Sequence, residues 1–281
     1  MNKNIKKRKL ISNFFLIICT LCAATGLFWI FFILFDLLNE GLKYITPSLF
    51  LNDPTPPGME GGGLRNAFVG QILITSVATF IGVPLGILGG TYLAEYGRNG
   101  KIGGIISTIA DIMISIPAIV IGTFVYAVMV KPLGHFNGWA GGVSLAIIMF
   151  PIVIRTTEDM MKLIPNELRE AAFALGAPYY KVIQDVIYRG AATGILTGTL
   201  LAIARVAGEA APLLFTSFNN SFFTINLNEP TPSLTVTIFQ YAMGPYDEWH
   251  GLAWAASFII TIAILLITII GRILIKLRYR N

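Results

Sequence analysis

The sequence predicts an all-α polytopic membrane protein with six transmembrane helices, and three observations carry that prediction. Hydrophobic residues make up 55% of the 281 positions and charged residues only 12%, with a mean hydropathy of +0.72. A soluble fold of this length cannot bury so much apolar surface. Six apolar runs, at about 10–38, 67–94, 103–130, 139–157, 190–217 and 251–275, each approach or exceed the roughly 20 residues that cross about 30 Å of hydrocarbon. Finally, Lys and Arg crowd into alternate connections, as the bias of cytoplasmic loops requires.

The first run follows Lys3, Lys6, Lys7, Arg8 and Lys9 and is uncharged from Leu10 to Phe35. That is longer than the roughly 7–15 apolar residues of a cleaved signal, so residues 1–38 read as a tail and a retained span. Cys19 and Cys22 inside it have redox or metal spacing but no second ligand pair, and they read as small packing residues. Residues 39–66 form an external connection whose Asp53–Gly58 and Gly61–Gly63 runs predict short turns and little regular structure.

A core of five spans, residues 67–275, follows. Gly82, Gly86 and Gly90, and then Gly194 and Gly198, recur at G-x-x-x-G spacing, which lets helix backbones approach closely in lipid. Packing within the chain accounts for them without a dimer. Pro84, Pro117, Pro151 and Pro212 fall within predicted spans, where each removes a helical hydrogen bond and favours a kink. Asp111 lies near one end of the third span, able to cap, pair or face water. Arg155, near the end of the fourth, either serves the transported ligand or snorkels to headgroups and pairs with Glu158.

Between the fourth and fifth spans lies the longest polar break, residues 158–189. Asn166 stands at an N-cap position, Leu168, Ala171, Ala172 and Leu175 keep helical spacing, and Gly176 suits the position after the helix. A second amphipathic piece starts near Pro178, with Tyr179, Val182, Ile183, Val186 and Ile187 on one face. Two short helices joined at a glycine are expected, resting on the membrane interface or docked to a partner.

In the fifth span, Arg205 and Glu209 stand four residues apart and hence on one helical face. An intramembrane ion costs about 2.5–3.5 kcal/mol on insertion scales and usually marks function. Either the two neutralise each other, or Arg205 offers a planar cationic fork to a tetrahedral oxyanion while Glu209 orients it. A short basic tail, 276–281, closes the chain.

With both termini cytoplasmic, sixteen of the twenty Lys and Arg lie inside, Lys43, Arg65 and Lys131 lie outside, and Arg205 is within a span. The net charge of +5 follows from that bias, so anionic lipid headgroups rather than nucleic acid are the partners of the tails. His135 and His250 lack neighbours that would complete a metal site. Gly100-Lys101 is followed by Ile102 and lacks the rest of a P-loop, so no ATPase, cofactor or catalytic residue is expected.

The Glu170-Ala-Ala-Phe-Ala-Leu-Gly176 segment resembles the EAA loop of ATP-binding-cassette importer permeases. Further stretches resemble the phosphate importer permeases, in particular their PstA branch. They are Gly63–Ala67, Tyr92-Leu-Ala-Glu-Tyr-Gly97, Asp111–Gly122, and Ala202-Ile-Ala-Arg-Val-Ala-Gly-Glu-Ala-Ala-Pro-Leu-Leu214. Tyr188-Arg189 stands where a Leu-Pro pair is usual, and Ala210 where a hydroxyl residue is common.

The resemblance implies a type I importer permease fold of the MetI-like kind in a bacterial or archaeal-type cell membrane. It places Arg205, Glu209 and Arg155 on the substrate pathway, and Glu170, Ala171, Ala172 and Gly176 on the ATPase-coupling helix. The partners it implies are a homologous second permease, an ATP-binding subunit dimer and an extracytoplasmic phosphate-binding protein. A secondary anion transporter would also want buried Arg and Glu but would not need the EAA loop, and an intramembrane enzyme finds no Ser-His, paired-aspartate or metal constellation here.

Overall fold

A computed structural model of the chain describes residues 3–56, 59, 61–97 and 100–278. Pro57, Gly58 and Glu60 of the first connection, Arg98, and Arg280 of the tail lie outside the described residues. The described elements are helices only. Five are long and apolar enough to cross a membrane, and a pair of helices bent by 104° makes a sixth if it is counted as one span.

Helix α1, Lys3–Lys43, leaves its apolar length exposed and packs chiefly against the last helix near Gly41, where an added Cβ would sit 2.5 Å from Phe258 Cβ. Cys19 and Cys22, read as small packing residues, are exposed on this helix. The connection after α1 carries one helical turn, α2, Pro47–Leu51. Leu64 N–H donates to Leu49 C=O at 2.8 Å, and Arg65 pairs with Asp53 at 2.7 Å, folding this segment over the start of α3.

Helix α3, Arg65–Thr91, continues through a π-helical turn, Tyr92–Tyr96. The predicted third span is interrupted: α4, Lys101–Ser115, and α5, Ala118–Val125, meet at Ile116-Pro117. Pro117 has no N–H to donate, and its ring drives Ile116 out of the helical region to φ −72°, ψ 129°. A second π-helical turn, Tyr126–Val130, leads into the short α6, Lys131–Leu133.

Helix α7, Gly138–Lys162, is the hub, with its N-terminus capped by Asn137 Oδ1, which accepts from Ala140 N–H at 2.8 Å. Small residues bring its neighbours close. A Cβ on Gly86 would lie 2.6 Å from Val153 Cβ, and one on Gly90 would lie 2.5 Å from Ile154 O. Gly82 faces Met149, Gly194 faces Met160 and Gly198 faces Thr156. All five glycines of the G-x-x-x-G pattern thus pack onto α7 within one chain. In lipid such contact supplies dispersion that the solvent does not.

Helix α8, Asn166–Ala174, starts at the expected cap residue itself, and Pro165 takes the cap position without a side-chain bond. Gly176 has φ +81°, a left-handed turn that glycine enters without strain. The chain then reverses into α9, Tyr179–Lys181, passes a third π-helical turn, Val182–Ile187, and runs into α10, Tyr188–Ala207. The second amphipathic piece is therefore the beginning of the fifth span rather than a separate short helix.

The fifth span ends at Ala207, not near 217. Residues 208–233 are irregular apart from a 3₁₀ turn, Leu213–Phe215, yet Leu213, Thr216, Ser217, Thr231 and Ser233 are buried. Non-helical backbone survives inside a membrane protein only where protein groups satisfy it. Here Asn137 N–H donates to Thr216 O, Thr231 N–H to Ser217 O, and Gly138 N–H to Leu227 O. Ser233, whose Oγ accepts from Val236 N–H, starts α11, Leu234–Ala242, and α12, Asp247–Arg278, completes the fold.

Candidate functional site

Three charged assemblies lie along α7. The first contains Arg205, in the last turn of α10, and Glu209, just beyond the helix end at Gly208. The reading of both on one helical face is corrected, because the helix stops between them. Nor do they pair with each other. Neither the Arg205 guanidinium nor the Glu209 carboxylate makes a hydrogen bond or ion pair with any described residue. Only their backbone is engaged, as Thr235 Oγ1 donates to Glu209 O at 3.0 Å.

Both side chains line a small cavity of about 30 Å³, room for about two water molecules and too tight for a hydrated anion. Its other walls are Met113, Ile114, Ile116, Ala118 and Ile121 from the broken span, and Ile148 and Ile152 from α7. Ile148 and Ile152 straddle the midpoint of α7, so the two charges lie at mid-depth of the helical body. A much larger groove of about 640 Å³ between α3, α10 and α12 is almost wholly apolar and offers an anion nothing.

The second assembly surrounds Arg155. Its Nε donates to Asp111 Oδ1 at 2.9 Å, its Nη1 to Glu158 Oε2 at 2.7 Å, and its Nη2 to the carbonyl and hydroxyl oxygens of Ser107 at 2.7 and 2.8 Å. Lys162 Nζ lies 2.5 Å from the other oxygen of Glu158, whose side chain is only 6% exposed. Arg155 is therefore fully engaged, tying α4 to α7. The pairing with Glu158 is present, and Asp111 joins it. The same α4 also walls the Arg205 cavity through Met113 and Ile114.

The third assembly is the turn between α7 and α10. Glu170, Ala171 and Gly176 are exposed, Glu170 has no described partner, and Ala172 is half-buried against Val182, Ile183 and Ile187. Leu168, Phe173 and Leu175 also stand exposed, so the apolar spacing read as one face turns mostly outward. Arg169 turns inward, with Nη1 2.9 Å from both Glu95 carboxylate oxygens and Nη2 donating to Met161 O at 3.0 Å.

Glu95, Ser107 and the pairing of Asp111 escape sequence reasoning because these residues meet Arg169 and Arg155 across 74 and 44 or more residues. Only an acidic residue standing near the end of an apolar run marked Glu95. Among the described residues no group of three or more His, Cys, Asp or Glu is placed to hold a metal ion.

Residues 82–278 match the model of the binding-protein-dependent transport system inner membrane component. The chain is 49% identical over 249 residues to the phosphate transport system permease protein PstA of Yersinia pestis, covering 89% of this chain and 84% of that one. It is 46% identical over 272 residues to the protein of the same name in Pasteurella multocida (strain Pm70), covering 97% of each. In fold it is similar to a chain of the MetNI methionine ABC transporter in an inward-facing conformation, with a TM-score of 0.62 at 20% identity, covering 76% of this chain and 94% of that one. The chain belongs to the family of binding-protein-dependent transport system inner membrane components, alongside the phosphate transport system permease proteins.

Proposed function

We propose that this chain is the permease subunit of an ATP-driven inorganic phosphate importer, with both termini cytoplasmic. The observation that carries the substrate is Arg205 beside Glu209 at mid-depth, close to a carboxylate yet left without a described partner. A cation held there against its desolvation cost is reserved for an anion. Its planar fork matches two oxygens of a tetrahedral oxyanion. Glu209, at the same cavity, repels a fully ionised anion and favours one that still carries a proton to donate.

The route passes between α7, α10 and the broken span, facing a homologous second permease. In the present state the cavity is closed by α4 and α5, and Arg155 holds α4 through Asp111 and Ser107. Opening requires the Ile116-Pro117 joint to move, and Arg155 then becomes the next cation along the path. An extracytoplasmic phosphate-binding protein delivers the anion, and an ATP-binding subunit dimer supplies the energy.

Coupling runs through Glu170, Ala171, Ala172 and Gly176. Their small, mostly exposed surface fits a groove on the ATP-binding subunit, and Glu170 engages a basic group there. Tyr179–Ala207 is a continuous helical rod of roughly 40 Å, so a push on its first turn is delivered at Arg205. The test is ATP hydrolysis by material co-purified on this chain in mild detergent, with and without phosphate-loaded binding protein. Stimulation specific to phosphate supports the reading, and the absence of any associated ATPase refutes it.

A further inference from the structure

Glu95 is not needed to bind an anion or to dock an ATPase, yet it is among the most deeply placed charges in the chain. Its side chain is 1% exposed, and the Arg169 side chain facing it is 14% exposed. A carboxylate so buried persists in charged form only with a partner, and Arg169 is the cation that the described structure supplies. Tyr179 adds a hydroxyl 3.0 Å from Glu95 O and 3.3 Å from its carboxylate. Phe173 stacks on the Tyr179 ring at 5.9 Å between centroids, and Tyr96 meets it edge-on at 5.4 Å. One turn further along, Thr91 Oγ1 and Tyr188 Oη lie 2.6 Å apart.

Helix α8 buries no residue of its own, so apolar burial holds it weakly to the membrane body. Arg169 grips that body at two places, the end of α3 through Glu95 and the end of α7 through Met161 O. Its chain neighbours Glu170 and Ala171 face away. One face of α8 is thus free for docking while the other is bolted to two spanning helices by directional, charge-assisted bonds. The π-helical turn Tyr92–Tyr96 carries the bolt on the α3 side, and such turns recur at functional positions.

Resting on the importer reading above, we propose that Glu95, Arg169 and Tyr179 form a transmission latch that delivers movement of the docked α8 to α3. The rod formed by α10 would otherwise carry it alone. Glu95 is a positioning residue in this role: it touches neither substrate nor ATPase, and it acts through Arg169. Cutting the latch separates docking from transport, so ATP is hydrolysed without phosphate being moved.

The test uses the complete transporter in proteoliposomes, reading inorganic phosphate taken up per ATP hydrolysed. Glu95→Gln is expected to keep the ATPase co-purifying and hydrolysing within about twofold of wild type while uptake per ATP falls about tenfold. Charge exchange, Glu95→Arg with Arg169→Glu, recovers most of that ratio, whereas Arg169→Glu alone does not. Tyr179→Phe, which keeps the ring packing, lowers the ratio about two- to threefold.

An unchanged ratio in Glu95→Gln overturns the latch. So does loss of ATPase co-purification, which would assign the pair to docking. Should Glu95→Gln fail to fold, an unchanged ratio in Tyr179→Phe, or an exchanged pair no better than Arg169→Glu alone, overturns it equally. A wild-type complex without phosphate-dependent hydrolysis refutes the importer reading itself, and the latch with it.

Discussion

Replacing Gly90 by alanine tests whether close approach to α7 holds this fold together. The added Cβ would lie 2.5 Å from the Ile154 carbonyl oxygen and 2.6 Å from Thr157 Cβ, where ordinary contact begins at 3.4 Å. The first obstacle is backbone, which no rotamer change removes, so α3 and α7 must separate by close to an ångström. Overpacking of this kind costs about 1–3 kcal/mol, and a gap of that size forfeits a quarter to a half of each dispersion contact along the seam. Against this stands the roughly 1 kcal/mol that Gly→Ala contributes inside a helix. The net is a loss of about 1–2 kcal/mol. Gly26 provides the contrast, since nothing lies within 4 Å of its added Cβ and only the helical gain applies. The assay is the fraction of detergent-purified chain that stays monodisperse on size exclusion after heating. Gly90→Ala should lower the midpoint by about 2–8 °C, while Gly26→Ala leaves it unchanged or slightly raised. Equal midpoints for the two variants would refute the seam.

Arg205→Gln should abolish phosphate uptake while the ATPase still co-purifies, and Arg205→Lys should retain a fraction, because a point charge replaces a two-pronged donor. Normal uptake in Arg205→Gln would remove this residue from the pathway. Glu170→Lys should release the ATPase on purification yet leave the thermal midpoint of the isolated chain unchanged, given an exposed side chain without a described partner. In the Arg155 assembly the two carboxylates should differ. Glu158→Gln, at 6% exposure, weakens the charge-assisted bonds from Arg155 and Lys162 and costs about 1.5–3 kcal/mol. Asp111→Asn, at 63% exposure, is screened and costs no more than about 1 kcal/mol. Thermal midpoints in the reverse order would show that Asp111 carries the α4–α7 contact.

Hydropathy made the spans legible because length and apolarity are properties of consecutive residues. It misjudged the fifth span for the same reason. Ala210-Ala-Pro-Leu-Leu-Phe215 is as apolar as a helix, but Gly208 and Pro212 end the helical ladder and the segment becomes a buried loop. The sharp break at Ile116-Pro117 was visible as a proline, and its 104° angle was not, since that angle depends on the loop from Gly208 seated against Gly122. Helix α11 went unforeseen because nine residues between turns are too few to register as a span. At the candidate site, Arg205, Glu209 and Arg155 stood out as charges in apolar surroundings. Which carboxylate each arginine faces is a matter of helices meeting far along the chain, and Asp111 and Glu95 gained their partners only when the fold brought α4 and α8 alongside.

The wide turn at Val182–Ile187 has a consequence for how this chain tolerates change. A π-helical turn holds one residue more than the α-helix around it, and each residue of an α-helix advances the azimuth by about 100°. Deleting a single residue from 182–187 would therefore let the wide turn close to an α-helical one and leave everything downstream facing as before, whereas adding one would rotate α10 by that amount. After such an insertion Arg205 would swing out of its cavity toward lipid, and Gly194 and Gly198 would leave the seam with α7. The aim of Arg205 is thus set some twenty residues upstream, and single-residue insertions there should be far more damaging than single-residue deletions.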